Sequence, residues 1–256
     1  MSSYGRENQS SKATLKLEYV FAEGAFKNVH EGSYVGGPRN GQRCVGKIFK
    51  SGSVFKESFF DAELKVVEKA LEIINQFNDD RIINKSIWLN KPTVWTFDEW
   101  SDRSGEKVLV EPMISNFEKF NSNTAWTPQQ SSPWIDVMQA LSHYSFHISN
   151  ATLLFCDLQG GVYKDGFVIT DPVIMSMNQE YGPTDLGSKG ISTFFSRHKC
   201  NTYCESHWMT PADKRVYFKT KKGSSMVLPT RFSRDALTAK FGNNKTCTDR
   251  LLTIRE

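Results

Sequence analysis

The chain has 256 residues, 39% hydrophobic and 23% charged, with 32 Lys and Arg against 28 Asp and Glu for a net charge of +4. This is the balance of an ordinary soluble globular protein, one large domain or two small lobes, and +4 is too small to point to nucleic acid, though it fits anionic ligands weakly. No apolar run approaches the roughly 20 residues of a membrane span, and MSSYGRENQSSK at the start has no apolar signal core; with five cysteines, an odd count, a reduced cytoplasmic setting is expected rather than a disulfide framework.

The polar first residues, 1–14, are expected to be disordered. Leu15, Leu17, Tyr19 and Phe21 then alternate with other residues, the pattern of a half-buried strand. Gly24 in FAEGAFK lies between two strand-like runs, with Lys27 three residues on. A glycine turn over a sheet lets backbone N–H groups approach a phosphate; an ordinary hairpin explains it equally well. Asn40-Gly41 predicts a type I′ hairpin turn. RCVGKIFK is strand-like with Lys47 in its middle, where an ammonium needs a partner or a ligand unless its stem snorkels to the surface.

Residues 57–78 carry the clearest helix pattern: Phe60, Leu64, Val67, Leu71, Ile74 and Phe77 step by three and four. Ser53 marks its N-cap region and Asn78 its stop. Asp61 and Glu63 on it can pair with Lys47 if the helix packs on that sheet. KSIWLNKPTVWTFDEW and EKVLVEPMI read as two strands around an exposed turn at 102–106. Val108 to Val110 form a central strand, and Glu111-Pro112 ends it, since proline cannot donate to the ladder. NFEKFNSNTAW reads as a link between lobes. Ser132-Pro133 opens a second helix as N-cap and N1, with Trp134, Val137, Met138, Leu141 and either Tyr144 or Ser145 on one face.

Chemistry is densest between His143 and Cys204. His198, Cys200 and Cys204 form H-x-C-x3-C. On a helix, Cys200 and Cys204 share a face, and tetrahedral zinc needs a fourth ligand. His143, His147 and His207 are the candidates, with His143 favoured by its apolar run. Two buried cysteines and a surface histidine are the alternative. TLLFCDLQGG reads as a strand ending in Asp157 and Gln159, and GFVITDP as a second strand ending in Asp171; together they predict one hairpin. Two carboxylates at its ends suit a magnesium site or a general base, although turn aspartates without chemistry fit the same pattern. Gly182, Gly187 and Gly190, with Lys189 among them, predict a loop before a helix at 191–195. The tail after Cys204 is basic and turn-rich, with a short amphipathic stretch at 234–241.

FAEGAFK, VGKIF, VEPMI, EKFNSN, SHYSF, CDLQGG, TDP, DLGSKGI and HKCNTYC occur in this order over residues 15–206. Together they resemble the alpha-kinase catalytic domain, the atypical family of myosin heavy chain kinase and elongation factor 2 kinase. The conventional kinase motifs H-R-D, D-F-G and V-A-I-K are absent. The resemblance implies an α+β, two-lobed atypical kinase fold with ATP between the lobes and a zinc-stapled C-terminal lobe. The N-terminal lobe would be 15–114, the C-terminal lobe 115–206 and a tail 207–256. Lys47 would hold the ATP phosphates, Glu111 and Ile114 would bind adenine through their backbone, and Lys119 would lie near the nucleotide. Asp157 and Gln159 belong to D-x-Q-G; Asp171 would be the base and, with Gln159, a Mg2+ ligand. His143, His198, Cys200 and Cys204 would hold Zn2+, and Gly187 to Gly190 resembles the loop that shapes the peptide site.

Three positions depart from the family. Lys27 stands where an arginine is usual, losing the fork geometry. Glu63 replaces an aspartate that pairs with the strand lysine. The connection from Asp157 to Asp171 is longer around Tyr163 to Gly166, which costs little in loop entropy but can shift Asp171. The implied activity is ATP-dependent phosphorylation of a Ser/Thr hydroxyl on a protein, without nucleic-acid or membrane partners. The departures favour the alternative, a weak or inactive pseudokinase serving as a zinc-stapled nucleotide- or protein-binding module; intact Lys47, Gln159 and Asp171 argue against it. A zinc module for nucleic acid is set aside, because the cluster is embedded in the chain and the charge is modest.

Overall fold

The computed structural model describes residues 4–130, 132–223 and 254–255. The strands are β1 (Gly5–Arg6), β2 (Ala13–Leu15), β3 (Ala22–Glu23), β4 (Lys27–Tyr34), β5 (Arg43–Phe49), β6 (Ser86–Asn90), β7 (Thr93–Phe97), β8 (Lys107–Pro112), β9 (Phe117–Lys119), β10 (Leu153–Cys156), β11 (Gln159–Tyr163), β12 (Gly166–Ile169), β13 (Val173–Ser176) and β14 (Ile254–Arg255). The helices are α1 (Asp61–Asp79), α2 (Pro133–Ile148) and α3 (Gly187–Arg197). Helix and strand are mixed, and the described residues divide into two compact units: one of residues 8–57, 92–113 and 254–255, the other of residues 4–7, 58–91, 114–130 and 132–223. No helix among the described residues is long and apolar enough to cross a membrane.

In the first unit an antiparallel sheet runs β14-β7-β8-β5-β4-β2, with β3 also on β4. Val108 and Val110 are fully buried in β8, which lies between β7 and β5 as its apolar run predicts. They pack with Leu15, Tyr34, Cys44, Ile48, Trp95 and Phe97. Residues 8–14, expected to be disordered, are built into this unit. Asn8 is buried, and its amide donates to Thr93 Oγ1 at 2.6 Å and to the Val110 carbonyl at 3.0 Å. A polar residue buried to satisfy backbone groups has no apolar signature to read. The β4–β5 connection is not a type I′ turn either. It spans residues 35–42, and only Gly41 of the Asn40-Gly41 pair has positive φ, whereas type I′ needs both. Asn40 instead accepts from the Gly36 N–H at 2.8 Å.

In the second unit the sheet order is β1-β6-β12-β11-β9, with β1–β6 and β6–β12 parallel and the rest antiparallel. Residues 4–6 are thus built into a sheet as well. Helix α1 lays Val66, Val67, Ala70, Ile73, Ile74 and Phe77 against this sheet, in one core with Ile87, Leu89, Leu141, Phe155 and Phe167. That packing puts 58–91 in the second unit, whereas the chain-order division expected it in an N-terminal lobe. KSIWLNKPTVWTF is therefore two strands in two sheets. A 3-10 turn at Glu57–Phe60 precedes α1, and no side chain caps it, so Ser53 is not the cap. Helix α2 begins as read: the Ser132 side chain accepts from the Ile135 N–H at 3.3 Å, with Pro133 at N1. NFEKFNSN is no open linker: it forms β9, and Phe120, Asn121 and Ser122 are buried.

Candidate functional site

The stretch from Leu153 to Ser176 forms two nested hairpins rather than one. The outer pair, β10 and β13, is a two-stranded sheet of its own; the inner pair, β11 and β12, belongs to the five-stranded sheet. The chain changes sheet at Asp157 and changes back at Asp171. Both residues have positive φ, 58° and 48°, the left-handed region in which aspartate is better tolerated than most side chains. The extra length noted between them is ladder: Gly160 pairs with Ile169 and Tyr163 with Gly166, so the added residues extend the far tip.

Gln159 connects the two crossovers. Its Nε2 donates to Asp157 Oδ2 at 3.2 Å and lies 3.5 Å from the Asp171 carbonyl. Its Oε1 is buried and has no hydrogen-bond partner. Next to it, Gly160 has φ +153°, and a Cβ there would lie 1.9 Å from the Val168 carbonyl oxygen. The motif requires glycine because the neighbouring strand is that close.

Lys119 sits opposite Gln159 in the β9–β11 ladder, and its Nζ lies 2.8 Å from Asp157 Oδ1. Burial pushes the Asp157 carboxyl up, while Lys119 and the Asn123 N–H hold it down. Asn121 accepts from the Leu158 N–H at 2.9 Å and donates to Ser142 at 3.0 Å, which pins the first crossover to α2. The sequence reading placed Lys119 near a ligand but missed its bond to Asp157, and it gave Asn121 no role. The signal available for Asn121 was only its place in EKFNSN.

In the other unit, Lys47 is buried in β5 with its ammonium 3.0 Å from Glu111 Oε1 on β8; side-chain exposures are 4% and 3%. The partner that an ammonium within an apolar strand requires is thus Glu111, two residues from a cross-strand neighbour of Lys47. The side chain does not snorkel. Lys27 begins β4 with its Nζ 5.5 Å above the Phe49 ring. Back in the second unit, Ile114 lies against Gly161, and Glu63 stands half-buried in the first turn of α1.

The metal-type residues converge as well. One donor atom each from His143, His198, Cys200 and Cys204 lies within 4.8 Å of the others. His143 Nδ1 is 3.2 Å from His198 Nε2 and 3.7 Å from Cys200 Sγ, and Cys204 Sγ is 3.9 Å from His198 Nε2. A tetrahedral site with zinc-like bond lengths has edges of about 3.3–3.8 Å, so the donor set fits. His143 Nε2 donates to the Met209 carbonyl at 3.0 Å, which leaves Nδ1 free as a ligand atom. Burial lowers the His143 imidazole, lowers His198 to about 4 and raises the Cys204 thiol to about 11. Neutral N and S donors thus surround a point where a dication would displace thiol protons.

The two cysteines do not share a helix face as predicted. Helix α3 ends at Arg197, His198 is its C-cap, and the cysteines lie beyond it, Cys200 on irregular chain and Cys204 in a turn closed by its N–H to the Asn201 carbonyl at 3.0 Å. His147 stands apart, stacked on Trp208 with centroids 6.2 Å apart. The predicted glycine loop is the start of α3, which begins at Gly187 rather than 191. Asp185 before it is buried and accepts from Ser176 Oγ and from the N–H groups of Ser176, Tyr181 and Gly187. Its motif, DLGSKGI, was noted without this role. The stretch 234–241 lies outside the described residues.

The alpha-kinase family model matches residues 22–204. The chain belongs to the alpha-kinase family. Among curated relatives it is similar to alpha-protein kinase 1 of Dictyostelium discoideum, 31% identical over 204 residues; the match covers 78% of this chain but only 14% of that protein. Among solved structures it is similar to an alpha kinase from Entamoeba histolytica, with TM-score 0.66, 24% identity, and coverage of 84% of this chain and 85% of that one. It is similar also to the inactive D766A alpha-kinase domain of myosin heavy chain kinase A in complex with ATP, with TM-score 0.60 and 23% identity over 76% of this chain and 87% of that one. At these identities the solved structures establish the alpha-kinase fold, and the chain spans only 14–30% of the length of the first curated relatives it matches.

Proposed function

We propose that this alpha-kinase is an active, ATP-dependent serine/threonine protein kinase. The observation that carries the reading is the crossover pair: two aspartates at two sheet changes, with the buried Gln159 amide on the Asp157 carboxylate and 3.5 Å from the Asp171 main-chain carbonyl. Phosphoryl transfer needs positioning and charge stabilisation more than covalent chemistry, and a rigid paired crossover supplies positioning. Asp171 takes the proton of the acceptor hydroxyl as its oxygen bonds to the γ-phosphorus and the bond to the leaving ADP breaks. Lys47 meets the ATP phosphates; Lys27 adds a second cation to them; Glu111 and Ile114 offer backbone groups to adenine. Lys119 keeps Asp157 ionised and placed. Glu63 stands at the family's acidic helix position.

The unpaired Gln159 Oε1, near the Asp157 carboxylate and the Asp171 main-chain carbonyl, suits a hard cation that takes oxygen ligands. Gln159 and Asp171 would hold Mg2+, which when bound offsets the phosphate charge. His143, His198, Cys200 and Cys204 would hold a structural Zn2+ that contributes to folding. The test is transfer of radiolabelled γ-phosphate to a basic protein acceptor by wild type and by Asp171→Asn. General-base loss predicts a fall of about 100-fold or more with nucleotide binding retained. A wild type that binds ATP and transfers nothing, to acceptor or to itself, assigns the chain to the pseudokinase class. Full activity in Asp171→Asn puts the base elsewhere.

A further inference from the structure

The net charge of this chain is not evenly spread. Residues 187–223 hold eight Lys and Arg against two Asp and Glu, while the remainder holds 24 against 26. All eight basic side chains are exposed. Both acids have partners nearby: Asp213 with Arg215 at 2.8 Å, and Glu205 with His207 at 3.3 Å.

The fold brings this charge onto one side. Past Cys204 the chain has no helix or strand through Gly223, yet it is tied down by buried hydroxyls. Ser192 donates to the Arg215 carbonyl at 3.0 Å and accepts its N–H at 2.9 Å; Thr193 accepts the Tyr217 N–H at 3.0 Å; Ser122 donates to the Lys221 carbonyl at 2.7 Å. The segment therefore runs along α3 on the side of Thr193. Residues four apart share a helix face, so Lys189 and Arg197 flank that line. Lys189 Nζ and the Arg215 guanidinium both approach the Tyr217 ring, at 5.9 and 5.3 Å.

At the far end of this basic line is a cavity of about 520 Å³. Trp126 and Ile135 give it apolar walls, Arg197, Lys199 and Thr220 stand around it, and Asp136 is its one carboxylate. Lys222 Nζ lies 5.3 Å over the Trp126 ring. An indole wall among cations matches a linear ligand with one apolar or aromatic side chain and flanking negative charge.

We propose that this cavity and the basic line along α3 form a docking site for an acidic protein segment anchored by one aromatic side chain. The Trp126 and Ile135 walls of the cavity set the anchor, and the cations steer the encounter and fix its direction. The site lies beside the Asp157 crossover without being part of it: two residues past Lys221, a Cβ at Gly223 would be 3.5 Å from Lys119 Nζ.

The test is fluorescence anisotropy of the full chain with a labelled Glu-Tyr copolymer, in the absence of ATP, so that its result does not depend on kinase activity. Wild type binds, and affinity falls with salt. Arg197→Glu with Lys199→Glu and Lys222→Glu weakens binding at least tenfold, Trp126→Ala weakens it severalfold with the salt slope unchanged, and Lys12→Glu, exposed in the other unit, changes it less than twofold. Lys222→Glu alone, on an irregular exposed segment, keeps the test open if the triple variant does not fold. Binding by the reversal variants equal to wild type overturns the proposal. So does equal binding of polyglutamate without tyrosine, or displacement by a 20-base-pair DNA at lower concentration than the copolymer.

Discussion

Removing Lys47 should damage the fold before it damages any chemistry. Its ammonium and the Glu111 carboxylate are 3.0 Å apart at 4% and 3% side-chain exposure. At an effective dielectric near 20 their attraction is about 5–6 kcal/mol, and the cost of taking both from water cancels much of that. Deleting one partner leaves the other charge buried and uncompensated, which costs about 3–5 kcal/mol. Lys47→Met should therefore lower the melting temperature by roughly 6–20 °C, at about 2–4 °C per kcal/mol for a chain of this size. Lys47→Met with Glu111→Leu removes both charges and should recover most of the loss. Calorimetric melts of wild type, the two single variants and the double variant close a double-mutant cycle. If Lys47→Met melts within 2 °C of wild type, the ammonium reaches water and the pair has no structural role. If the double variant is as unstable as the sum of the singles, the two residues act independently and the argument fails.

Elemental analysis should find about one zinc per chain, and Cys204→Ser should lose the metal together with several degrees of thermal stability; a folded, metal-free wild type contradicts this. In chelator, stability should depend on pH through His198, whose folded value lies at about 4, lowered by burial. The unfolded imidazole takes its proton near 6.5, so this contribution is complete above pH 6.5 and is lost as pH falls toward about 4, by up to about 3 kcal/mol. Denaturation midpoints that rise between pH 6.5 and 5 would reverse the sign. Gly160→Ala puts a Cβ 1.9 Å from the Val168 carbonyl oxygen and should cost more than about 3 kcal/mol by strain; near-wild-type denaturation would show that the strands separate easily.

What could be read from the sequence followed its periodicity and its capping chemistry. The 3.6-residue stripe of α1, the Ser132-Pro133 start of α2 and the apolar run of β8 came through because each is a local pattern with a local cause. Which strands pair is not local. LLFC and GFVI are adjacent apolar strands around a glycine-rich segment, and pairing them is the natural reading; the actual partners, β13 and β11, are set by which sheet each strand extends. The same limit hid the Lys47–Glu111 and Lys119–Asp157 bonds, since each joins residues far apart in sequence across a ladder. The four metal-type residues were legible as types, but their meeting point depends on Asn201, which donates to the Asp136 carbonyl at 2.8 Å and holds the cysteine turn to α2.

The nested hairpins explain why aspartate, of all residues, occupies both crossovers. A strand that leaves one sheet and enters another must turn its backbone sharply, and here both turns fall in the left-handed region. Glycine enters that region most easily, with aspartate and asparagine the next most tolerant. Glycine would bring no carboxylate, and asparagine no charge. On the proposed function, the backbone requirement and the chemical requirement select the same residue twice, at a strain of order 1 kcal/mol each that the surrounding ladder must overcome. The ladder does so from both sides: β11 and β12 pair over four positions beyond the crossovers, and β10 and β13 over four before them. Under the proposed function, two aspartates whose backbones are held in this way would lose little freedom when a substrate arrives, which is the entropic advantage a positioned catalytic pair needs.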